Sequence, residues 1–216
     1  MKSILFGSIG TLIETSDTQR VSFNRAFKEE NLSWNWDYQT YKKLLEKSGG
    51  IKRIKDYAFQ KGEIVNAERI WKRKTNIFNK IIETKKFEAR KGVLNIFRYA
   101  KNNNIQIGLV SSTSKKNIDT IFKALNGQIS KGEFNFIGNN KLINKPKPEP
   151  DIYFKALKIM NLKKNECIAI EDSVESAKSA INAGIQCVAF PGLYHRDGNF
   201  EFCKFKVDEL DISILK

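Results

Sequence analysis

The feature that most constrains this chain is a change of rhythm near Gly92. Downstream of it, short apolar runs alternate with helical spacing. Val93, Ile96, Phe97 and Ala100 mark one helix, Ile105 to Val110 a strand, Ile118, Ile121, Phe122 and Leu125 a second helix, and Phe134 to Ile137 a short strand. The prolines of KPKPEPDIY lead rigidly into a helix over Ile152 to Met160, and CIAIEDS is a strand ending in two acids. Ala177, Ala180 and Ile181 share a helix face closed by Gly184, and CVAF, ending at Pro191-Gly192, is one more strand. Strands that alternate with helices form a parallel sheet covered on both faces. The expected class is therefore α/β.

Upstream the rhythm differs. Ile4, Leu5 and Phe6 make a short buried strand, broken by the Gly10-Thr11 turn, and strand patterning then stops. Thr15-Ser16-Asp17 is a polar opening suited to capping a helix that carries Phe23 and Phe27 at i, i+4 spacing. Trp34, Trp36, Tyr38, Tyr41, Leu44 and Leu45 read as an aromatic-rich helical segment, interrupted at Gly49-Gly50. Ile51, Ile54 and Tyr57 resume the spacing, and Ile70, Ile77, Ile81 and Ile82 carry a further helix. No good strand lies between about Glu14 and Phe87. The pattern predicts a core domain from residues 1–13 and 88–216, with a helical cap domain, 14–87, inserted after the first strand. A chain of 216 residues is long enough to bury both.

No apolar run approaches the roughly 18 residues of a spanning helix, and the apolar part of the N-terminus is too short for a signal peptide. Cys167, Cys187 and Cys203 are widely spaced and form no CxxC pair, so reduced thiols in a cytoplasmic protein are expected rather than a zinc site or a disulfide framework. The net charge of +14 raises a nucleic-acid surface as one possibility. The lysines are scattered among acids and core positions, however, and no nucleic-acid motif accompanies them, so a solvated surface is the expectation.

In a parallel sheet of this kind the ligand crevice lies beyond the carboxyl ends of the strands. Four such ends bring chemistry there: Gly7-Ser8-Ile9, Ser111-Ser112, the Lys147 loop, and Glu171-Asp172. Ser111 offers a hydroxyl, Lys147 a cation, and the two carboxylates suit Mg²⁺, which takes oxygen ligands shared with a phosphate. Each residue alone is weak evidence; their common location raises the case.

Taken together, the GTL turn, SFNRAF, SGGIKRI, LVSSTS, KPEPDIY, AIEDS and PGLYHR make the chain resemble the haloacid dehalogenase superfamily, in the branch of CbbY-type sugar-bisphosphate phosphatases and β-phosphoglucomutases. The resemblance spans nearly the whole length. It implies a Rossmannoid sheet with an inserted cap, a small phosphorylated sugar or inorganic phosphate as ligand, and Mg²⁺ as cofactor. It also implies phosphate binding by Ser111, Ser112 and Lys147, metal binding by Glu171 and Asp172, and a substrate-reading cap loop at Gly49, Gly50, Lys52 and Arg53.

One part of the pattern is missing. In that family the first strand ends in a DxDGTL-like motif, whose first Asp attacks phosphorus and whose second is the general acid and base. Here those positions are Gly7 and Ile9. Losing a covalent nucleophile removes on the order of 10⁶ in rate, and losing a general acid roughly 10²–10⁴, so impaired catalysis is expected. The alternatives are a hydrolase with a substitute nucleophile and a non-catalytic, protein-binding or regulatory descendant. Strand alternation places Ser8 on the side opposite residues 7 and 9. Gly7 is expected to leave room where a nucleophile's side chain would stand, so that restoring both acids returns some turnover. With two acids gone, Lys147 is expected to pair with the remaining two, and phosphate to bind without Mg²⁺. Among smaller features, Gln19 stands where CbbY-type enzymes carry His, His195 reads as a loop residue, and Trp34 and Trp36 as packing.

Overall fold

The structure, a computed structural model, describes residues 1–46 and 49–215. Its chain divides into two compact units, Met1–Glu14 with Lys86–Lys216, and Thr15–Lys85. The first unit is built on a six-stranded sheet: β1 (Ser3–Phe6), β2 (Gln106–Leu109), β3 (Phe136–Ile137), β4 (Cys167–Glu171), β5 (Gln186–Ala189) and β6 (Phe205–Lys206), in the order β3-β2-β1-β4-β5-β6. Every pairing is parallel. All four residues of β1 and all five of β4 are buried, as strands covered on both faces must be.

Chain order reverses at β1, which pairs with β2 on one side and β4 on the other, with Phe6 opposite Leu109 and Ile170. Ligand crevices form at such switch points. The tips of the three central strands therefore converge by topology.

The covering helices are set by local sequence. Ser114 and Ser173 accept backbone N–H bonds from Asn117 and Ser176 as side-chain caps. Gly184 takes a left-handed φ of 75° just past the end of its helix, a conformation that suits glycine. Phe6 meets Phe97 with ring centroids 5.2 Å apart, joining sheet to helix. Two details depart from the sequence reading. Thr15 occupies the N-cap of the helix Ser16–Glu29, but its hydroxyl makes no capping bond and is buried without a partner. The two-residue edge strand Phe205–Lys206, exposed at both positions, is too short to show a periodicity.

The second unit holds four helices among the described residues: α1 (Ser16–Glu29), α2 (Tyr38–Leu44), α3 (Gly50–Lys61) and α4 (Ala67–Thr84). α4, the longest, buries Ile70, Phe78 and Ile82 along one face. Trp34 and Trp36, read from sequence as helical, lie in an extended segment before α2. Both are buried while Ser33, Asn35 and Asp37 are exposed, so the spacing has the period of two that marks extended chain. Asn24 fixes the segment from both directions: its Oδ1 accepts from Trp36 N at 2.8 Å and its Nδ2 donates to Trp36 O at 2.9 Å. Asp37 then caps α2 through Thr40 N. Trp36 stands among Phe23, Phe27, Tyr41 and Tyr57, which confirms packing as its role.

Candidate active site at the strand tips

β1 continues into Gly7, whose N–H donates to Ile170 O at 2.9 Å. The chain then turns: Thr11 N and Leu12 N both donate to Ser8 O, and Gly10 adopts a φ of 81°. Because extended structure stops at Phe6, alternation does not carry through to residue 8. Ser8 therefore faces the crevice and not away from it, and its Oγ shares a hydrogen bond of 2.9 Å with Ser111 Oγ. Ser111 is buried, and its Oγ also accepts from Thr113 N at 3.2 Å. Ser112 sits beside it, its Oγ accepting from Lys147 N at 3.3 Å.

Lys147 extends inward from its loop. Its Nζ donates to Val110 O at 3.0 Å and to Glu171 Oε1. The pair is enclosed, with Lys147 9% and Glu171 0% exposed. Tyr153 donates its hydroxyl to the same Glu171 oxygen at 2.5 Å. Burial first, and the adjacent Glu171 charge second, push the Tyr153 phenol well above its ordinary range, so it stays a donor. The expected ion pair between Lys147 and a β4 acid is thus present.

The expected room at Gly7 is not. A Cβ built on Gly7 would collide with Glu171 Oε2 and stand 2.5 Å from Thr11 Oγ1. Neither oxygen has a hydrogen-bond partner. The Glu171 carboxylate cannot simply swing aside, since its other oxygen is held by Lys147 and Tyr153. Restoring an aspartate at residue 7 therefore meets an occupied place.

Asp172 lies one residue on and is half-buried. A Cβ on Gly10 would collide with its Oδ2 and lie 2.6 Å from its Cγ, so the turn needs glycine for space as well as for its positive φ. Burial first, and then the Glu171 charge, raise the Asp172 carboxyl to about 8. Glu14 also comes close, with its Oε2 accepting from Leu193 N at 2.7 Å. Asp17 belongs to the other unit, where it pairs with Arg20 at 2.8 Å.

Three contributors escape the sequence reading. Arg90 donates to Gly10 O, to Phe190 O at 2.8 Å and to Pro191 O at 2.9 Å, and its guanidinium lies 3.4 Å over the Phe190 ring. It therefore ties the turn after β1 to the loop after β5. Tyr153 carries a signal only as the closing residue of EPDIY, and Ser8 lies on the side opposite to the one that alternation predicts. His195 is half-buried in the turn after Pro191-Gly192.

The cap-loop candidates lie in the second unit, apart from Ser48 of their motif, which is outside the described residues. Gly49 has a φ of 99°, and a Cβ on Gly50 would meet the Trp71 ring at 2.9 Å. Lys52 pairs with Asp56 at 2.7 Å, and Arg53 donates to Leu44 O at 2.7 Å. In the same unit Lys74 is buried, donates to Gln19 Oε1, and lies 4.7 Å and 5.1 Å over the Phe23 and Phe78 rings. Burial, and secondarily the Arg53 charge, lower its pKa to about 7.

For a divalent cation the donor set is thin. Among the described residues no cluster of three or more His, Cys, Asp or Glu side chains could hold a metal ion. Of the two acids at the tip of β4, Glu171 has one oxygen committed and the other pressed toward Gly7. Mg²⁺ requires near-octahedral oxygen ligands, and the arrangement present does not fit it. Nor is any described helix long and apolar enough to cross a membrane.

Comparison with known proteins agrees with this architecture. Residues 4–190 match the family described as haloacid dehalogenase-like hydrolase. Protein CbbY of Cereibacter sphaeroides is 30% identical over 203 residues, covering 93% of this chain and 88% of the relative. The putative phosphatase YhcW of Bacillus subtilis is 27% identical over 191 residues, 88% of this chain and 84% of the relative. Among solved structures, CbbY from Rhodobacter sphaeroides in complex with phosphate superimposes with a TM-score of 0.87 at 28% identity, covering 97% of this chain and 94% of that one. β-Phosphoglucomutase from Clostridium difficile shares the fold, with a TM-score of 0.79 at 20% identity over 100% of this chain and 95% of that one. Nearly the full length of sheet and helices is accounted for by these likenesses, and the chain belongs to the haloacid dehalogenase-like hydrolases, in their CbbY-like phosphatase branch.

Proposed function

We propose that this chain holds a small phosphorylated sugar or inorganic phosphate at the tips of β1, β2 and β4 and turns it over poorly or not at all. One observation carries the reading. No carboxylate stands at residues 7 or 9, and Glu171, which reaches the space beside Gly7, is fully enclosed. A buried carboxylate with one oxygen on a lysine and a phenol cannot approach a phosphorus atom as a free nucleophile would.

Binding is supported by what remains. The Ser8 and Ser111 hydroxyls are adjacent, Ser112 holds the Lys147 backbone, and Lys147 supplies a buried positive charge behind them. The helix capped by Ser114 begins just beyond, and a helix N-terminus favours anions. The CbbY structures contain phosphate in one case and xylulose-(1,5)bisphosphate in another, and ligands of that class are the first candidates here. In this reading the helical unit is the cap, and Gly49, Gly50, Lys52 and Arg53 are its substrate-reading loop.

A second reading has one observation in its favour: Ser8 Oγ faces the crevice. A serine nucleophile needs a base within hydrogen-bond reach, and the group bonded to Ser8 is another hydroxyl. The test is phosphate release from a panel of sugar phosphates and bisphosphates, with binding followed by calorimetry. Binding without measurable release is expected. Release within about tenfold of an ordinary phosphatase, lost on Ser8→Ala, would establish the serine hydrolase instead.

A further inference from the structure

The parallel register of β1 and β4 sets Phe6 opposite Ile170, so residues 7 and 171 leave the sheet side by side. At that point glycine and glutamate complete one another. Glu171 Oε2 and Thr11 Oγ1, both buried, converge on the place a residue-7 side chain would fill. Glu171 Oε1 meanwhile receives Lys147 and Tyr153. One buried cation faces one buried anion, and the phenol adds a neutral donor. Lys147 thus has a buried counter-ion already in place, with the half-buried Asp172 one residue further on.

We infer that Glu171 is the standing counter-ion of Lys147, seated where a first-strand side chain would be, and that the crevice receives a phosphate dianion without a divalent cation. The inference rests on the phosphate-binding reading above and extends it. For Glu171 to serve as a metal ligand it would have to leave Lys147, stranding a buried ammonium with the Val110 carbonyl as its remaining hydrogen-bond acceptor among the described residues. Its second oxygen is itself enclosed, standing where a Cβ on residue 7 would be and buried without a hydrogen-bond partner. The incoming anion then meets the Ser8 and Ser111 hydroxyls and the positive charge behind them.

Calorimetry with inorganic phosphate decides the matter, run once in excess EDTA and once in excess Mg²⁺, beside a titration of Mg²⁺ alone. The expected result is a phosphate Kd that changes by less than about threefold between the two buffers, with no heat from Mg²⁺ alone. Phosphate binding that requires Mg²⁺ overturns the inference and leaves the phosphate-binding reading intact. Absence of phosphate binding in both buffers overturns that reading, and the Mg²⁺ titration then judges the inference by itself. Saturable heat from Mg²⁺ refutes it, and none upholds it.

Discussion

Each unit of the molecule buries a lysine beside aromatic rings, and the two are accommodated differently. Lys147, 9% exposed, meets the Glu171 carboxylate and lies 5.4 Å from the centre of the Tyr153 ring. Lys74, 7% exposed, meets the Gln19 amide and the faces of Phe23 and Phe78. An ammonium in a dry setting keeps its charge at low cost only with a counter-ion. Lys74 has a dipole and two π faces instead, and its pKa falls to about 7. The contrast teaches that one residue type, equally buried in two places, is held in its charged form or not according to what faces it.

The strongest way to break the contrast is to make Lys147 resemble Lys74. Glu171→Gln keeps the shape and removes the counter-charge. Loss of one partner of a buried pair costs about 3–5 kcal/mol, and chemical denaturation should register a destabilisation of that size. An unchanged midpoint would mean that the pair carries no net weight.

The opposite experiment is Lys74→Met, which fills a similar volume without a charge. The sign follows from proton linkage. With a folded pKa near 7 and an ordinary value of 10.5, the unfolded chain binds more protons between them. Wild-type stability should therefore rise with pH across that window and be lowest below it. The methionine variant should lose this slope, which is at most about 1.4 kcal/mol for each step of one in pH, and should gain stability below about pH 7. Denaturation midpoints at acid and alkaline pH check it; a slope that survives the substitution would assign it to other groups.

The smallest effect sharpens the crevice side. Ser8→Ala removes one hydroxyl from the pair with Ser111. Phosphate affinity should weaken by a factor of about ten or less, the worth of one hydrogen bond near 1 kcal/mol, with the unfolding midpoint little changed. Binding titrations measure this directly.

Much of the fold is legible in the sequence because the relevant signals are local. CIAIEDS shows its strand and its two acids in one glance, and the Gly184 boundary follows from capping chemistry. The failures are also physical. Trp34 and Trp36 invite a helical reading until the exposed residues between them are counted at period two. Ser8 is misplaced by any alternation carried past Phe6, where the strand ends. Tyr153 and Arg90 act over 18 and 80 residues of separation, and no spacing rule links a side chain to a partner that distant. The space at Gly7 escapes the sequence for a related reason: a missing side chain says nothing about which neighbour has moved in.

The seating of Glu171 against Gly7 also bears on reversibility. Two of the four glycine codons lie a single nucleotide from an aspartate codon, so in the genetic code the acid at residue 7 can be as little as one step away. In the folded chain that step is blocked, because the new side chain would collide with the Glu171 carboxylate and set another negative charge beside it. A path back requires Glu171, or the lysine and tyrosine that hold it, to change as well. The packing works as a ratchet: the acid at residue 7 can be lost alone, and its recovery is a coordinated event.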